Sequence, residues 1–176
     1  MEIMIPAWVD GVLCPVEKLD VHKRGLKHKA VSVFVFCETE LLIQKRALGK
    51  YHSPGLWANT CCTHPDWNEA PADCATRRLS DELGMSGVDL SYVDQLEYRA
   101  DVGNDMIEHE IVDCFIARSA TQPTVTPNPD EVMDVRWVEI DTLRDQARLQ
   151  PEEFTKWFQI YVAKHFDQLF AKYKNS

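Results

Sequence analysis

Basic residues are scarce in this chain of 176 residues: 19 Lys and Arg face 28 Asp and Glu, a formal net charge of −9. That balance excludes the broad basic footprint of a nucleic-acid binder and the polybasic patch of a membrane anchor, although a few converging cations could still hold a small anion. No apolar run is long enough to span a bilayer. The opening MEIMIPAWVDGVL lacks the basic stretch and apolar core of a secretory signal, and there is no C-terminal lipidation box. The six cysteines include no C-x-x-C pair; Cys61 and Cys62 are adjacent and the others scattered, which favours a reduced, cytoplasmic setting over a disulfide framework. Internal repeats, low-complexity tracts and interdomain linkers are missing too.

What is present reads as one globular domain over residues 1–176. At 45% apolar residues the chain can bury a sizeable core, roughly two thirds of the surface its unfolded form would expose. Asp10-Gly11, between two short apolar pieces, is hairpin turn chemistry. The Val- and Phe-rich run at 30–36 and the apolar 41–44, joined by the polar 38–40, predict a second hairpin of buried strands. Residues 70–83 place Ala75, Leu79 and Leu83 at helical spacing, with Gly84 as the stop. Strands are predicted at 95–101, 107–117 and 135–140, the last two separated by a loop holding Pro123, Pro127 and Pro129. From 151 onward Phe154, Trp157, Phe158, Tyr161, Val162, Phe166, Leu169, Phe170 and Tyr173 recur at steps of three and four, the stripe of an amphipathic helix. The prediction is an α+β domain, a helix caught between strands and a helical C-terminal end.

Alternation along 107–117 puts Glu108 and Glu110 on one face with Val112, Cys114 and Ile116. Two readings stand: a solvated strand end, or a carboxylate pair at the mouth of a pocket. If Cys62-Thr63-His64 is extended, its thiol and imidazole point the same way and Cys61 points oppositely. Cys62 alone reads as an inert buried thiol, His64 as a surface or capped histidine, and His22 and His28 as solvated. Together, three histidines and two carboxylates are a mixed nitrogen and oxygen set for a divalent ion, assembled from distant segments and unlike a zinc finger. On the helix, Arg78 and Glu82 share a face, either as a solvent-facing ion pair or as part of an acidic face that presents oxygens to Mg²⁺ carrying a diphosphate.

The helix and its approach resemble the Nudix box, G-x5-E-x7-R-E-U-x-E-E-x-G-U with U apolar, here Thr63-x5-Glu69-x7-Arg77-Arg78-Leu79-x-Asp81-Glu82-x-Gly84-Met85. Thr63 replaces the leading Gly, Arg78 the second Glu, and Asp81 the first of the paired acids. A cation where the family binds its hydrolytic metal argues against metal-activated water and for holding an anion. The wider pattern, with Arg46-Ala47-Leu48, Pro54-Gly55-Leu56-Trp57, Cys62-x-His64-Pro65, Tyr98-Arg99-Ala100, Glu108-x-Glu110 and Asp130-Glu131-Val132 in order over about residues 5–165, resembles the type 1 isopentenyl-diphosphate isomerases of the Nudix-fold superfamily.

The resemblance implies a Nudix-like α/β/α sandwich with a mixed β-sheet, and an isomerase acting by protonation and deprotonation through a carbocation in isoprenoid biosynthesis. It implies Cys62, Glu110 and Tyr98 as catalytic residues, and Lys18, Arg46, Lys50, Arg78 and Trp157 as substrate contacts. His22, His28, His64, Glu108 and Glu110 would hold one divalent ion, Mn²⁺ or Zn²⁺, while Glu82 would hold Mg²⁺ with the diphosphate. Residues 1–29 would contribute metal and diphosphate ligands beside the box at 63–85. Small-molecule substrate, no nucleic acid, no membrane and a monomeric state complete the expectation. A Nudix diphosphohydrolase and a catalytically idle binding module on the same fold are the competing readings.

Overall fold

In the computed structural model, which describes residues 2–170, the chain runs β1 (Met4–Val9), β2 (Val12–Glu17), α1 (Lys18–Arg24), β3 (Lys27–Cys37), β4 (Glu40–Arg46), β5 (Trp57–Ala58), β6 (Cys61–Thr63), α2 (Pro71–Leu83), β7 (Ser91–Gly103), β8 (Met106–Ser119), β9 (Val132–Glu139), α3 (Ile140–Leu149), a 3-10 turn (Pro151–Glu153), α4 (Lys156–Lys164) and α5 (Phe166–Phe170). The nine strands form one mixed sheet, in which β3 and β8 pair in parallel and the other neighbours are antiparallel. Asp10 and Gly11 both have positive φ, at 50° and 82°, as the tight turn between β1 and β2 requires.

Each face of the sheet carries its own core. On one, Ala30, Phe34, Phe36, Leu96, Tyr98, Val112, Cys114 and Ile116 pack under α3, α4 and α5. On the other, Val31, Val33, Val35, Leu42, Cys61, Phe115 and Ala117 pack under Cys74, Ala75, Leu79 and Leu83 of α2. The architecture is therefore the helix/sheet/helix sandwich predicted, in a single α+β domain. β3 and β4 pair only next to their turn, at Phe36–Leu41 and Cys37–Glu40, and then part, β6 joining β3 and β5 joining β4. That fork lets side chains from both faces reach one pocket.

The structure adds two helices that the sequence reading left unassigned and divides a third. Residues 18–24 form α1, because the Glu17 carboxylate accepts from the backbone N–H of Leu19 at 2.9 Å and of Asp20 at 2.8 Å; Glu is an unusual N-cap, so the start was not legible. β9 ends at Glu139, and Ile140, Leu143 and Ala147 anchor α3 in what read as connection. The C-terminal stripe is a 3-10 turn and two helices broken at His165 rather than one continuous helix; Tyr173 lies outside the described residues.

Candidate active site and metal centre

The sheet register sets the predicted residues side by side. His28 of β3 pairs with Glu110 of β8, and Glu110 with Tyr98 of β7. Four residues along, on the same face of β3, Ser32 pairs with Cys62 of β6. Alternation on β8 resolves as a buried face: Glu108 is 2% exposed and Glu110 1% exposed. The solvated alternatives for His22, His28 and His64 are overturned, since all three are buried. One ligand atom each from His22, His28, His64 and Glu110 lies within 4.8 Å of the others.

Hydrogen bonding aims these rings. Nδ1–H of His22 donates to the Lys18 carbonyl at 2.6 Å and Nδ1–H of His28 to the Leu26 carbonyl at 2.7 Å, so each presents an Nε2 lone pair inward. His28 Nε2 is buried with no hydrogen-bond partner, as is His64 Nδ1. Burial, reinforced by neighbouring His28, lowers His22 to about 4, and burial lowers His64 well below the ordinary histidine range even against its hydrogen bond to Glu110. Neutral imidazoles, an orphaned buried nitrogen and two carboxylates are a donor set that fits a divalent ion.

The carboxylates differ. Burial and the Glu110 charge push Glu108 well above the carboxylate range. Burial also acts on Glu110, but His28 and His64 outweigh it and hold that group well below the range; His64 Nε2 stands 3.0 Å from Glu110 Oε1. The Tyr98 hydroxyl lies between the two, 2.6 Å from Glu110 Oε2 and 3.0 Å from Glu108 Oε2. Cys62 is raised far above the thiol range by burial and by Glu110 and Glu108, so it stays a protonated thiol; its Sγ accepts from Ser32 Oγ at 3.3 Å.

Cys62, His64, Glu108, Glu110 and Trp157 line a pocket of ≈ 20 Å³, room for about one water. Lys18, Arg46, Lys50 and Arg78 also border it, and all but Arg46 continue onto an outer cavity of ≈ 630 Å³. Arg78 donates to Glu82 at 2.7 Å and lies 3.2 Å from Glu131; Lys50 pairs with Glu131. Gln44 holds the second oxygen of Glu82 at 2.9 Å. Burial, then Lys50, Arg78 and Arg46, lowers Lys18 to about 8. Trp157 serves both readings of its position, packed in the α4 core and facing the pocket, with the Arg46 guanidinium 5.2 Å from its ring. All predicted site residues thus converge.

Sequence reasoning missed His52, Tyr51 and Gln44, which also line the pocket. The loop holding Tyr51 and His52 has no periodicity, and Gln44 reads only as a strand residue.

A NUDIX-domain family model matches residues 26–158. The chain is 57% identical to the isopentenyl-diphosphate Delta-isomerase of Dinoroseobacter shibae over 171 residues, 97% of each chain, and 56% identical to that of Cereibacter sphaeroides over 172 residues, 98% of this chain and 97% of the other. With the Ruegeria pomeroyi protein of the same description it shares 56% over 171 residues, 97% and 95% of the two chains. Among solved structures, a Deinococcus radiodurans protein matches with a TM-score of 0.71 at 14% identity, over 92% of this chain and 97% of that one, and a Nudix hydrolase from M. smegmatis with 0.61 at 17%, over 96% and 94%; these share the fold.

Proposed function

The chain belongs to the NUDIX-domain family, in its isopentenyl-diphosphate Delta-isomerase branch, and we propose that Cys62 and Glu110 carry out the proton exchange by which it interconverts isopentenyl and dimethylallyl diphosphate. The reaction adds a proton at C4 and removes one from C2 through a tertiary carbocation, with no net change in protons. Each of the two groups gives a proton in one direction and takes it in the other. Tyr98, in hydrogen-bond reach of Glu110, relays or steadies that proton. The Trp157 ring offers its face to the cation, worth up to about 2 kcal/mol in a desolvated site. Water is kept away by the enclosure of the pocket.

His22, His28, His64, Glu108 and Glu110 would hold one divalent ion, Mn²⁺ or Zn²⁺. Bound there, it would supply positive charge that favours the ionised form of Glu110. Glu82 would hold the Mg²⁺ that meets the diphosphate, and Lys18, Arg46, Lys50 and Arg78 its oxygens. Residues 1–29, supplying Lys18, His22 and His28, thereby belong to the same functional unit as the box at 63–85. The pocket is too small for a five-carbon chain as it stands, so admission requires its lining to move. Among the described residues no helix is long and apolar enough to cross a membrane. The proposed setting is a monomer in the cytoplasm.

The observation that carries this reading is that Cys62, the Glu108/Glu110 pair and four cations border one enclosed pocket. Incubation of the purified protein with isopentenyl diphosphate and Mg²⁺ in D2O tests it. Dimethylallyl diphosphate with deuterium at the exchanging carbons is the expected result. No product and no exchange would sink the assignment, and released phosphate or diphosphate would favour a hydrolase.

A further inference from the structure

One buried imidazole lies outside the ligand set assigned above. His52, in the loop between β4 and β5, is 2% exposed. Its carbonyl accepts from Arg46 Nη2 at 3.1 Å, its ring stacks on His22 at 5.5 Å between centroids, and it meets Trp157 edge-on at 5.8 Å. The loop is therefore pinned so that this ring faces the metal centre. One ligand atom each from His22, His52 and Glu108 lies within 4.8 Å of the others, a second donor group beside that of His22, His28, His64 and Glu110.

The spacings are those of donors around one ion. At bond lengths of about 2.1 Å, adjacent donors of a six-coordinate ion stand about 3 Å apart. His52 Nε2 is 3.2 Å from Glu108 Oε1, His64 Nε2 is 3.0 Å from Glu110 Oε1, and His28 Nε2 is 3.5 Å from the same oxygen. His22 belongs to both groups, yet has only Nε2 to offer because its Nδ1–H is committed to the Lys18 carbonyl. That single lone pair can bind only one ion, so one ion bound there would draw the two groups together.

We propose that His52 is a sixth protein donor to the divalent centre, closing a six-coordinate shell with His22, His28, His64, Glu108 and Glu110. The inference rests on the metal centre proposed above and adds a consequence: a shell filled by side chains leaves no open position on the ion. Such an ion acts through its charge, which suits a reaction that must exclude water from a carbocation. It agrees with Arg78 standing where the Nudix pattern has a carboxylate.

The test uses the full chain stripped of metal and reloaded with Co²⁺ alone, comparing the wild type with His52→Phe and His28→Phe, and with His52→Asn should the ring variant fail to fold. Binding is read by competition with a chelator and coordination by the visible spectrum. The expected result is an affinity at least about tenfold weaker for His52→Phe, an unchanged melting temperature, and a change from the weak bands of six-coordinate Co²⁺ to the stronger ones of a lower coordination number. Wild-type affinity and spectrum in the His52 variant, with binding lost in His28→Phe, would overturn the role of His52 alone. Wild-type behaviour in both would overturn the metal centre as well.

Discussion

Two thiols at successive positions of β6 offer a matched comparison, because the strand sends them to opposite faces of the sheet. Cys61 is fully buried among Val33, Leu42, Ala75 and Leu79 under α2, whereas Cys62 is half-buried, faces the pocket and touches only the edge of the other core. Replacing Cys62 by Ala removes the proposed proton carrier. Loss of a positioned acid or base lowers turnover by about 10²- to 10⁴-fold, equivalent to roughly 3–5 kcal/mol of barrier. The fold should barely respond, by less than about 1 kcal/mol, since Ser32 Oγ keeps its 2.8 Å hydrogen bond with Tyr161 when the sulfur goes. Cys61→Ala inverts the pattern: the void beneath α2 costs about 1–2 kcal/mol, lowering the melting temperature by roughly 2–8 °C, while the pocket keeps its chemistry. Proton NMR of the interconversion at saturating substrate, beside thermal melts of both variants, separates the cases. Comparable loss of turnover in the two variants, or more than a tenth of wild-type turnover in Cys62→Ala, would refute the assignment of the thiol.

Glu82→Gln should weaken the Mg²⁺ dependence of substrate binding by about tenfold or more while leaving Arg78 in place; calorimetry with and without Mg²⁺ checks this, and an unchanged requirement would count against Glu82 as the oxygen donor. Lys18, lowered to about 8, carries its charge below that pH and loses it above, so the ratio of inorganic diphosphate affinity between the wild type and Lys18→Gln, in which the ligand's own ionisation cancels, should fall as pH rises through about 8; a ratio constant with pH would refute this. The same shift makes this group's contribution to stability increase as pH rises from 8 toward 10.5, because the unfolded chain keeps the proton longer. Gly84→Ala should destabilise by about 1–2 kcal/mol from the positive φ alone, and by more because an added Cβ would stand 2.9 Å from the Thr126 carbonyl oxygen; a melting temperature unchanged within 1–2 °C would contradict the assigned helix stop.

How much of this was legible depends on what each signal needed. Regular periodicity exposed β8 and α2: the alternation around Glu108 and Glu110, and the spacing of Ala75, Leu79 and Leu83, match the buried faces observed. Alternation could not say which face of β8 was buried; that follows from β3 and β7 flanking it and α4 covering it, long-range facts absent from any local window. The bland readings of His22, His28 and His64 failed for the same reason, since each is polar in its own segment and buried only by the others. α1 escaped because its cap is a glutamate, and α3 because ten residues following a strand carry only three core anchors. His52 lies in a loop whose path is fixed by Arg46, a contact no spacing rule contains.

On the proposed reading, the electrostatics of the pocket account for how a chain of net charge −9 would hold an anion and why a cation would arrive with it. Arg78 and Lys50 are already matched in the free protein, to Glu82 and Glu131. A diphosphate entering alone would have to strip those cations from their carboxylates and leave two acids beside an anion; the pairs are half-buried, so breaking each costs more than the roughly 0–1 kcal/mol of an exposed pair. If Mg²⁺ enters with the diphosphate, the exchange stays balanced: carboxylate oxygens turn to the metal while the guanidinium and ammonium turn to the phosphoryl oxygens. The i, i+4 placement of Arg78 and Glu82 on one face of α2 puts both halves of that exchange within a single helical turn. In the Nudix pattern the position of Arg78 is a carboxylate, and the same turn gathers metal only. On the proposed reading, that one difference would convert a turn that gathers metal into one that grips the magnesium diphosphate as a whole, and would leave the chemistry to the thiol and the glutamate on the other side of the fork.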